Sequence, residues 1–178
     1  MDTGSDMRES TVRRRCRELL RQLDIRPPLD VADLCRRFGE WRNRPVRLVP
    51  HPFEVPGPSG LWVQTESADY IFYQERTSAP HQDHIILHEL GHIFADHPSD
   101  ELNIAGQEPQ TSSSFPPATR ILRRTCYDTD HEREAELIAT IILEWASVLK
   151  ATHSLLLDEN APQGEQLNTS LVNHQGWL

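Results

Sequence analysis

The 178 residues, 37% hydrophobic and 25% charged, can fill one core but not two ordinary domains. No apolar run approaches the roughly 18 residues a membrane span needs, and the opening MDTGSDMRES lacks the basic and apolar regions of a secretory signal. The net charge of -9 is uneven: residues 1–47 carry 12 arginines against 8 acids and the remainder 6 basic residues against 19 acids, a poor balance for general phosphate-backbone binding.

Residues 1–10 read as a flexible lead-in. From Thr11, the apolar Val12, Cys16, Leu19, Leu20 and Leu23 recur at helical spacing. The arginines on the other face interleave with acids, so a solvated face is expected there and direct nucleic-acid binding is not. Pro27-Pro28 ends this helix, and Asp30 can cap a second that carries Val31, Leu34, Cys35 and Phe38 up to Gly39. Three short β-branched and aromatic runs follow: Val46–Val49, Leu61-Trp62-Val63 and, after a turn at Ala68-Asp69, Tyr70–Tyr73. They predict a small, mostly antiparallel sheet. Helical periodicity returns from His81 to His97, bracketed by Pro80 and Pro98. Residues 98–117 read as a mobile loop. A long helix is then predicted from about Asp130, with Ala135, Ile138, Ile142, Trp145 and Leu149 on one stripe. The fold class is therefore α+β, one domain over residues 11–150, with 151–178 as a poorly ordered tail. Cys16, Cys35 and Cys126 are odd in number and far apart. They make neither a disulfide framework nor a metal knuckle and point to a reducing, cytoplasmic setting.

The chemistry is concentrated in His88-Glu89-Leu90-Gly91-His92. Residues four apart on a helix lie about 6 Å apart along its axis and about 40° apart around it, so His88 and His92 can reach one metal ion. Glu89, about 100° round from His88, is better placed as a general base toward a water at the open metal position. Catalytic zinc takes three protein ligands, so a third must come from elsewhere. His84 continues the histidine row but lies too far along one straight helix to join both others, and is expected beside the site or at the surface. His97 fails as the third ligand of the extended HExxHxxGxxH pattern, because Ala95 and Pro98 stand where that pattern needs Gly and His. The acidic run Glu132-Arg133-Glu134-Ala135-Glu136 supplies better candidates. Glu132 is assigned as the ligand and Glu136 as the carboxylate that orients a histidine through its free ring nitrogen, with Glu134 as the alternative ligand.

His88-Glu89-Leu90-Gly91-His92 followed by Glu132-Arg133-Glu134-Ala135-Glu136-Leu137-Ile138-Ala139 resembles the ImmA/IrrE family of metallopeptidases, whose pattern is HExxH and then a helix bearing approximately E-x-E-A-[ND]-x-F-A. The lead-in Tyr70–Tyr73 and His84-Ile85-Ile86-Leu87 is similar too. The resemblance implies a zincin-like fold with a small sheet beside the HExxH helix, Zn2+ held by His88, His92 and Glu132, and Glu89 as catalytic base. It implies a zinc-dependent endopeptidase, with a helix-turn-helix transcriptional repressor as a typical protein substrate. Glu136 stands where the family has Asn or Asp, and Ile138 where it has Phe.

On this reading the sheet edge, with Tyr70–Tyr73 as its candidate, would hold an extended substrate by strand addition. Residues 98–117 would gate the cleft, and Tyr127 or His131 would aid the oxyanion. The rival class is a regulatory binding protein that keeps the zinc site and sequesters a repressor uncut; a purely structural site has no need of Glu89.

Overall fold

The apolar stripe of Val12, Cys16, Leu19, Leu20 and Leu23 is buried as its spacing predicts, on helix α1, Thr3–Gln22, and the turn that ends it. The computed structural model describes residues 3–54, 56–98, 100–102, 121–123 and 129–157. Helix α1 starts inside the expected lead-in of residues 1–10. Once a buried stripe has nucleated a helix, each added residue gains a hydrogen bond, and Glu9 supports the turn by pairing with Arg13 at 2.9 Å. Asp30 caps helix α2, Val31–Trp41, by accepting the Asp33 N–H at 2.9 Å. Helix α2 buries Val31, Leu34, Cys35, Phe38 and Gly39. A β-carbon at Gly39 would fall 2.7 Å from the Val46 nitrogen, so glycine lets the next strand start directly against the helix.

That strand, β1 (Val46–His51), is followed by β2 (Gly60–Gln64) and β3 (Asp69–Gln74). Two short strands, β4 (Asp100–Leu102) and β5 (Ile121–Arg123), complete a sheet of order β1-β3-β2-β5-β4. It is mixed. β2 and β3 form an antiparallel hairpin with Trp62 opposite Ile71, whereas β1 crosses to the far side of β3 and runs parallel to it, Leu48 opposite Ile71. The other pairings, β2 with β5 and β4 with β5, are antiparallel; β4 and β5 were not among the three expected strands. β3 is therefore an interior strand. Its backbone groups are already taken on both sides, so Tyr70–Tyr73 is not an edge that could accept a substrate strand. β4 lies within the span 98–117 read as a loop; residues 103–117, Cys126, Tyr127 and 158–178 lie outside the described residues.

Asp69, expected in a turn, is the first residue of β3 and is fully buried. Its carboxylate accepts Arg42 Nη1 at 2.9 Å and the Trp62 indole N–H at 3.2 Å, and Arg44 Nε lies 3.1 Å away. The chain between α2 and β1 is thereby tied to the middle of the sheet.

Helix α3, Ala79–Phe94, carries Pro80 in its first turn, where a missing N–H leaves no bond unmade. Helix α4, Thr129–Leu157, continues past Ala151, where a tail was expected; Ala151–Leu157 contains neither Gly nor Pro to stop it. The core gathers Leu34 and Phe38 of α2, Trp62 and Ile71 of the sheet, Ile86, Leu87, Leu90 and Ile93 of α3, and Ile138, Ile141 and Ile142 of α4. Among the described residues no helix is long and apolar enough to cross a membrane.

Candidate metal centre

The site lies where α3 and α4 cross. The crossing is close because residue 91 is glycine: a β-carbon there would sit 2.9 Å from the Ala135 carbonyl oxygen and 3.1 Å from its Cα. The helical spacing of His88 and His92 brings their Nε2 atoms to 3.1 Å from each other. The first turn of α4 then delivers Glu132, with Oε2 3.2 Å from His88 Nε2 and Oε1 3.7 Å from His92 Nε2. These three residues form a group able to hold a metal ion. A tetrahedral ion with bonds of about 2.0–2.1 Å spaces its donors about 3.3–3.4 Å apart, and the three separations bracket that figure. Two imidazoles and a carboxylate also match the chemistry of a three-ligand site with an open position. His92 is buried, but His88 and Glu132 keep 23% and 37% of their side-chain surface exposed, so the open side of the group faces solvent.

The outer ring nitrogens are occupied. His88 Nδ1 lies 3.3 Å from Glu136 Oε2, the orienting contact expected of that carboxylate. The same oxygen lies 3.1 Å from His84 Nε2, which puts His84 beside the site rather than in it. Glu134, the alternative ligand, is directed elsewhere. Its Oε2 lies 3.4 Å from His97 Nε2 and its Oε1 lies 3.5 Å from Arg15 Nη1.

His97 is the residue that pattern matching set aside. It does not contribute to the ligand group, but its Nδ1 lies 2.8 Å from His92 Nδ1 and it is buried. The end of α3 brings it there. Asp96 adopts a left-handed φ of 55°, its N–H donates to the Ile93 carbonyl at 3.2 Å, and the His97 N–H donates to the His92 carbonyl at 3.1 Å. This is a Schellman closure, and it folds residue 97 back onto residue 92. The available signal was an Asp able to adopt the left-handed conformation, followed closely by Pro98. His131 stacks on His97, with ring centroids 4.3 Å apart.

Glu89 is buried beside the start of β2. A β-carbon at Gly60 would lie 2.8 Å from Glu89 Oε1 and 2.6 Å from Ile85 Cγ2, so a glycine leaves the space this carboxylate uses. Among the described residues, Cys16 and Cys35 take no part: burial pushes their thiols up to about 12, which keeps them protonated and poor as ligands. Comparison of the chain with protein-family models, with curated proteins and with solved structures returns no match.

Proposed function

We propose that the chain is a zinc-dependent endopeptidase of the ImmA/IrrE type with a zincin-like fold, acting on a protein such as a helix-turn-helix repressor. The observation that carries this reading is the convergence of His88, His92 and Glu132 from two helices, with Glu89 adjacent to His88 in sequence. The substrate class rests on the sequence resemblance. Zinc, when bound, supplies Lewis-acid polarisation of water and of a peptide carbonyl.

The protein's own residues would supply the rest. Glu136 and His97 lie against the outer nitrogens of the two imidazole rings and would hold them with both Nε2 atoms toward Glu132. Glu89 would accept a proton from the attacking water and return it to the leaving amine. Its burial beside Gly60 would favour a reproducible position for that transfer.

Glu89→Gln tests the proposal. Metal analysis of this variant should match the wild type, while cleavage of an unfolded protein substrate, or of a repressor encoded beside this gene, should fall by at least about a hundredfold. Undiminished cleavage by Glu89→Gln would remove the mechanism. A metal-loaded wild type that binds a repressor without cutting it would favour sequestration instead.

A further inference from the structure

We infer that His97 is a positioning residue for the metal centre, setting the tautomer and ring plane of His92 through a relay that runs from the buried His92–His97 pair to the part-exposed Glu134 and Arg15. The inference rests on the metal-site reading above and extends it to residues outside the ligand group.

The order of protons along the relay follows from its geometry. His92 Nε2 faces His88 Nε2 and Glu132, so as a ligand it presents its lone pair there and carries its ring proton on Nδ1. His97 Nδ1 lies 2.8 Å from His92 Nδ1 and can accept that proton. His97 must then carry its own proton on Nε2, which points to Glu134 Oε2 at 3.4 Å. The other Glu134 oxygen faces Arg15 of α1 at 3.5 Å. With His92 presenting Nε2 to a metal, this order of protons is consistent with the contacts along the relay, and the Glu134–Arg15 pair favours its direction. The opposite tautomer of His97 would set two N–H groups against each other at 2.8 Å.

Position is constrained as strongly as protonation. The Schellman closure binds the His97 backbone to the His92 carbonyl, the His131 ring covers one face of His97, and the side chains of His92 and His97 are only 1% and 4% exposed. Water therefore cannot readily replace His97 as the acceptor. His88 differs: its orienting partner Glu136 is 51% exposed, so solvent can substitute there. The two ligands thus depend unequally on their neighbours, and His92 is the one that a neighbouring side chain controls.

The test is Zn2+ affinity, measured by competition with a chromophoric chelator, together with the visible spectrum of the Co2+-loaded protein. His97→Leu should weaken Zn2+ binding roughly 10- to 100-fold and shift the Co2+ bands. His97→Asn, whose amide oxygen can accept where Nδ1 did, should recover most of the affinity and the wild-type spectrum. Glu134→Ala, which leaves the core untouched, should lose roughly tenfold and keeps the test decisive if His97→Leu does not fold. Wild-type affinity in His97→Leu or in Glu134→Ala overturns the inference while leaving the metal site intact. So does an Asn variant as weak as the Leu variant, because packing alone would then explain the loss. A wild type that binds neither Zn2+ nor Co2+ overturns both this inference and the site on which it rests.

Discussion

Two polar clusters are built into this small domain, and they are completed in different ways. Around Asp69 the chain supplies both signs of charge: Arg42, Arg44 and the Trp62 indole satisfy a carboxylate with no exposed surface. Around His88, His92 and Glu132 two imidazoles and a carboxylate converge within 3.7 Å, with Glu136 and His97 against the outer nitrogens of the two rings. The first arrangement is finished when the protein folds. The second is a group that could hold a metal ion.

The largest effect should come from breaking the self-sufficient cluster. Asp69→Ala takes the carboxylate away from Arg42, the Trp62 indole N–H and Arg44 Nε, while Arg44 keeps the Thr65 and Ala68 carbonyls. Because each arginine side chain keeps 23% of its surface exposed, the loss should fall near the low end of about 3–5 kcal/mol, read from urea unfolding, with zinc content per folded molecule unchanged. Chelation should do the reverse. EDTA should lower the wild-type melting temperature, by an amount that at metal concentrations near 100 Kd corresponds to about 2.7 kcal/mol, and should leave Glu132→Ala unmoved. If the wild type melts identically with and without chelator, the contrast between the clusters disappears.

Smaller effects sharpen the same contrast. Gly91→Ala forces a β-carbon against the Ala135 backbone and should cost about 1–3 kcal/mol. It should also shrink the chelator response, since parting α3 from α4 withdraws Glu132, and a full response would separate the helix contact from the site. Asp96→Val puts a β-branched residue at a left-handed φ and should cost about 1–2 kcal/mol, whereas Asp96→Gly should change stability by less than about 1 kcal/mol. Thermal melts of the pair in EDTA would check that the penalty is backbone strain and not loss of metal.

What could be read in advance was whatever has a short period. The stripes on α1 and α2, the Asp30 cap and the i, i+4 histidines are local, and local geometry follows from spacing. Glu132 and Glu136 were also legible, because a helix that must supply one ligand and one orienting carboxylate places them one turn apart. Three features were not. The parallel placement of β1 beside β3 depends on which side of a hairpin the first strand meets, and no residue pattern encodes that choice. Asp69 read as a turn residue because its partners Arg42 and Arg44 come from the far side of β1. His97 was set aside because a ligand motif asks only whether a residue can touch the ion.

The sequence by itself determined which segments are helical (though not the start of α1 or the end of α4), which faces they bury and which two imidazoles share a face, since each depends on neighbours within a turn or two. Only the tertiary structure chose between Glu132, the sequence assignment, and its alternative Glu134, and it alone decided that β3 lies inside the sheet and that His97 returns to hold His92. Such outcomes are set by how closely Gly91 lets α4 approach and by the left-handed turn at Asp96, and contacts between distant segments exist only once the chain has packed.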